Sequence, residues 1–131
     1  MQVRSAEREV MANIERIEQV LSQITEENLG MGDWARKASC GTTMCFAGHA
    51  AVLAGESIDW RLSEFPDDHG GDQYWAARVQ SGRFIDEVAE EWLELTPWQA
   101  HQIFYEVIIG NDVNALRRHV HKVVSQPDTD D

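Results

Sequence analysis

The chain has 131 residues, an apolar fraction of 43% and five tryptophans, enough for one hydrophobic core and too much for a disordered body. Its 23 acidic against 11 basic side chains leave a formal net charge of −12, which disfavours direct binding to nucleic-acid phosphates or anionic lipid and favours a basic partner. No apolar run approaches the ~18 residues of a membrane span, and residues 1–7 are charged with no secretory apolar core, so the expectation is a soluble cytoplasmic protein without membrane contact.

Val10, Ile14, Ile17, Leu21 and Ile24 recur at steps of four and three, which predicts a first amphipathic helix with Ser5 as its cap and residues 28–32 as its stop. Its apolar stripe could pair with a second copy to give a homodimer, or dock on the domain's own core. Residues 33–39 read as a short irregular link carrying Trp34. Thr42 or Thr43 is the expected cap of a second helix over residues 44–54, closed by Gly55. Its side chains are small (Ala47, Gly48, Ala50, Ala51, Ala54), so neighbours can approach its backbone closely.

Between residues 56 and 82 the periodicity fails, and Pro66, Gly70 and Gly71 mark turns among Trp60, Phe65, Tyr74 and Trp75. This long connection is expected to hold short helical turns or a small hairpin pinned by the aromatics. Phe84, Ile85, Val88, Ala89, Trp92 and Leu93 give a third helix. Thr96-Pro97 starts a fourth through Ile103 and Phe104 to Gly110, and Asp112 caps a fifth carrying Val113, Leu116, Val120 and Val123. Together these predict an all-α fold, a single-domain bundle of about five helices over residues 1–124, with a disordered acidic tail at 125–131.

The stretch Cys40-Gly41-Thr42-Thr43-Met44-Cys45-Phe46-Ala47-Gly48-His49-Ala50, with Trp34 before it and Leu95-Thr96-Pro97-Trp98-Gln99-Ala100 and Phe104 after it, resembles a family of uncharacterised actinobacterial and actinobacteriophage proteins. The likeness covers roughly residues 34–116. It implies an origin and a shared fold, and no mechanism.

Three constellations could carry chemistry. With Thr43 as cap, Cys45 falls in the first turn of the second helix, where the helix dipole favours a thiolate, and His49 lies one turn on as a base. That describes a thiol enzyme, or with Cys40 as resolving partner a redox switch; the plainer reading packs Cys45 as a small apolar residue among alanines. Cys40, Cys45 and His49 are also three potential zinc ligands, the fourth to come from His69 or an aspartate. His119 and His121, two apart on a helix, diverge by about 200° and cannot share an ion.

The third constellation is Glu87, Glu90, Glu91 and Glu94, a carboxylate stripe one helical turn apart that could steer a basic protein, or simply be the wet face of the third helix. No complete catalytic set or cofactor motif stands in the chain. The leading expectation is a non-enzymatic interaction module, an accessory or host-modulating protein whose partner is a host or cellular protein with a basic surface. A Cys45-dependent enzyme or switch and a zinc-stabilised domain are the alternatives.

Overall fold

The structure is a computed structural model and describes residues 12–31, 34–38, 41–66, 70–105 and 112–126. In chain order the elements are α1 (Ile14–Gln23), β1 (Ala35–Ala38), β2 (Gly41–Met44), α2 (Phe46–Leu53), β3 (Arg61–Leu62), β4 (Tyr74–Ala76), α3 (Ile85–Leu93), α4 (Pro97–Phe104) and α5 (Val113–Ser125). The expected all-α bundle is therefore overturned: the described residues hold five helices and a four-stranded antiparallel sheet of order β2-β1-β4-β3.

The strands escape the sequence because they are two to four residues long, too short to show a two-residue period. The link expected at 33–39 contains β1, and the threonines read as helix caps belong to β2, with Arg36 opposite Thr43 and Lys37 opposite Thr42. The aromatic connection forms the small hairpin that was one of its two expected outcomes, Arg61 opposite Trp75 and Leu62 opposite Tyr74. On the sheet's inner face Ala35 meets Ala76, and the Lys37 ammonium lies 4.9 Å from the Trp60 ring and 5.3 Å from Tyr74.

α2 is buried all round from Phe46 to Ala51, as a helix without a polar stripe must be. It packs chiefly on α3, and also on α1 and α4. Phe46 is joined in the core by Ile17, Val20 and Leu21 of α1, Ile85 and Leu93 of α3, Ile103 of α4, and Leu116 and Val120 of α5. In α1 the buried face includes Val20 and leaves Ile14 exposed, a small rotation from the predicted stripe. Asn13 caps this helix, its Oδ1 accepting from Arg16 N at 3.1 Å. Ser5 and Val10 lie outside the described residues.

Later caps form where predicted, because capping is chemistry within four residues. Thr96 Oγ1 accepts from Gln99 N at 3.1 Å while Gln99 Oε1 accepts from Thr96 N at 3.0 Å, with Pro97 at the first helical position. Asp112 Oδ1 accepts from Ala115 N at 3.0 Å, and the expected tail from residue 127 on lies outside the described residues. Among the described residues no helix is long and apolar enough to cross a membrane.

Candidate functional site

The segment richest in sequence signals is a packing joint. α2 begins at Phe46, so Cys45 is its N-cap, two positions beyond the predicted threonine cap. The Cys45 side chain is 3% exposed, with Sγ donating to the Trp34 carbonyl at 3.7 Å, and Cys45 N donates to the same oxygen at 3.4 Å. That carbonyl, just before β1, rests against Gly48, where an added Cβ would overlap it and stand 2.8 Å from the Met44 Cβ. The absence of a side chain at Gly48 thus lets the Trp34 carbonyl and Met44, at one end of the β1–β2 pair, sit directly on the helix backbone.

His49 is buried, and its Nε2 lies 2.9 Å from the Asn28 carbonyl. A carbonyl only accepts, so Nε2 carries the hydrogen. Burial pushes the imidazole below its ordinary value, partly offset by this hydrogen bond. His49 thus ties the loop after α1 to α2. Among the described residues no three metal-binding side chains gather. Cys40 and His69, predicted as ligands with Cys45 and His49, lie outside the described residues. The other helix histidines diverge as predicted: His119 Nε2 donates to Gln102 O at 2.7 Å toward α4, and His121 Nε2 meets Glu18 at 2.6 Å on α1.

The surface beside α3 is more open. Glu87, Glu90, Glu91 and Glu94 line one depression of about 620 Å³ with Arg83 and Leu95, which among the described residues sets four carboxylates against one guanidinium. Three of the four have intramolecular duties. Glu87 accepts from Phe84 N at 3.2 Å, Glu91 pairs with Arg83 at 3.1 Å, and Glu94 accepts from Asn13 Nδ2 at 2.8 Å with Arg16 at 3.9 Å. Glu90 is left with the crowding: burial first, then the charges of Asp86 and Glu87, raise its carboxyl above the ordinary range.

Glu87 also borders a second depression of about 400 Å³, walled by Trp34, Phe84 and Tyr105 with Ala77 and Asp86. Tyr105 stands edge-on to Trp34, ring centroids 5.5 Å apart, and donates its hydroxyl to Asp86 Oδ2 at 2.6 Å. Burial of that hydroxyl, then the Asp86 hydrogen bond, pushes the phenol up to about 12. The two depressions are neighbours that share Glu87, one lined mainly by carboxylates and the other mainly by aromatic rings. The glutamates were legible from helical spacing. The aromatic half was not, since Trp34, Asp86 and Tyr105 come from three distant segments.

Compared with protein-family models, with characterised proteins and with solved structures, the chain matches none.

Proposed function

We infer that the chain is a non-enzymatic protein-interaction module, an accessory protein of actinobacterial or phage origin acting in the cytoplasm, which binds a basic protein partner through the surface beside α3. One observation carries the reading: Glu87 borders both the depression lined by Glu90, Glu91 and Glu94 and the one walled by Trp34, Phe84 and Tyr105. Aromatic faces attract cations through the ring quadrupole and carboxylates pair with them through charge-assisted hydrogen bonds, so arginine and lysine side chains fit both halves. The net charge of −12 speeds the encounter with such a partner. A Cys45 enzyme or redox switch has no comparable observation behind it.

The test compares wild type with Glu90→Gln/Glu91→Gln and with Tyr105→Ala, each used to capture partners from host lysate at low and high salt. The expected result is a basic protein held at low salt, released at high salt and lost with both variants. A partner retained equally by all three proteins, or no salt-sensitive partner at all, refutes the assignment.

A further inference from the structure

On the outer face of the sheet lies a patch of opposite character. Arg36 of β1, Trp75 of β4 and Arg61 of β3 are direct cross-strand neighbours, so their side chains form one row on one face. Trp75 is 49% exposed, and it walls a cleft of about 410 Å³ whose other boundaries are Asp59, Arg61, Ala77, Arg78 and Phe84. Across Trp75 a neighbouring depression of about 300 Å³ contains Arg36. Among the described residues three guanidiniums against one carboxylate thus gather around exposed aromatic rings, on a chain whose net charge is −12.

Each guanidinium is already held in place. Arg36 donates through Nε and Nη2 to Gln73 Oε1 at 3.1 and 2.9 Å, and Arg61 donates through Nε and Nη2 to Asp59 Oδ2 at 3.3 and 2.9 Å. Arg78 donates through Nη1 to Gly82 O at 2.8 Å, with Cζ 3.9 Å from the centroid of the Phe84 ring. No carboxylate among the described residues pairs with Arg36 or Arg78. Cations fixed before a ligand arrives lose little freedom on binding it, and they keep further N–H donors for an anion.

We propose that this cleft binds a free nucleoside phosphate, its base stacked on Trp75 beside Phe84 and its phosphate received by Arg61 and Arg78, with Arg36 across the indole. The cleft volume falls in the range of small-ligand sites. Base stacking on an exposed indole and bidentate phosphate recognition by arginine use the two kinds of group present. Charge selects the free nucleotide over a strand: among the described lining residues one phosphate group meets three arginines against the single carboxylate of Asp59, while each further phosphate of a polymer meets the field of an acidic molecule. This site shares Ala77 and Phe84 with the aromatic depression beside α3, but Trp75, Arg36, Arg61 and Arg78 do not line that depression, so variants at Trp75, Arg36 and Arg78 test it separately.

Titration of the full chain with AMP, adenosine, inorganic phosphate and an octathymidylate, followed by protein NMR at about 150 mM salt, tests the proposal. AMP is expected to bind at least about tenfold more tightly than adenosine or phosphate, with shifts centred on residues 59–61 and 75–84. Trp75→Ala and Arg78→Gln should each weaken AMP by about tenfold, and Arg36→Gln supplies a second charge variant should Trp75→Ala fold poorly. Failure of AMP to bind, equal affinity for adenosine or for phosphate alone, or AMP affinity unchanged in the charge variants overturns it. Tighter binding of the octathymidylate than of AMP also overturns it, by transferring the surface to a strand.

Discussion

Gly48→Ala is the sharpest perturbation of the joint between sheet and helix. In an exposed helix interior this change would stabilise by about 1 kcal/mol, because alanine is the better helix former. Here the new methyl group overlaps the Trp34 carbonyl oxygen and lies 2.8 Å from the Met44 Cβ, and neither atom is the far end of a flexible side chain. Relief requires the Trp34 backbone to lift from α2, which strains the hydrogen bond from Cys45 N to Trp34 O. Overpacking costs about 1–3 kcal/mol, more where backbone must move, so the net loss is set at about 2 kcal/mol. At roughly 2.1 cal/mol/K of unfolding entropy per residue, that lowers Tm by about 7 °C. Thermal unfolding followed by circular dichroism, with urea midpoints alongside, reads the effect. A variant as stable as wild type, or more so, would refute the claimed contact.

Burial lowers the His49 imidazole below 6.5, so the unfolded chain takes up the proton first; its contribution to stability is complete above that value and lost as pH falls through the lowered folded value. Urea midpoints across this range should therefore fall less steeply for His49→Gln than for wild type, and parallel curves would remove His49 from the acid response. Glu90 has the opposite sign: its raised carboxyl favours the folded state when protonated and opposes it as pH rises. Glu90→Gln should exceed wild type by less than about 1 kcal/mol near neutral pH, given solvent screening, and match it below the ordinary glutamate range; an unchanged or lower midpoint at neutral pH counts against the crowding. In the reduced protein, Cys45 should resist iodoacetamide until urea unfolds the chain, since it is 3% exposed. Mass-spectrometric mapping that finds rapid native labelling at Cys45 would show that the joint opens.

What the sequence revealed depended on range. Thr96, Pro97 and Gln99 announce a helix start because the cap closes within four residues, and Asp112 does so for α5. Glu87, Glu90 and Glu91 lie on α3 as the same local rule placed them, whereas Glu94, expected on the same helical stripe, is its left-handed C-cap (φ 57°). The sheet could not be read this way. Its central pairing joins Ala35 to Ala76, and the two threonines that line β2 are also good helix caps, so local chemistry pointed to the wrong element. The same distance hid the candidate sites: Asp86 meets Tyr105 across two helices, and the row of Arg36, Trp75 and Arg61 exists only after register is set. Cys45 and Gly48, prominent in sequence, are explained by how closely the Trp34 carbonyl lies on the start of α2.

The strand order β2-β1-β4-β3 also imposes a sequence of assembly. β1 and β2 are separated by two residues and can pair early, whereas β4 must return from some forty residues away to reach β1. Loop-closure entropy makes that pairing the later event, so a partly folded chain can carry its first hairpin on α2 while the arginine–tryptophan row is still unformed. Any ligand of that row would then bind only the finished sheet, and binding would act as a latch on the last step of folding, slowing its reversal without hastening the steps before it.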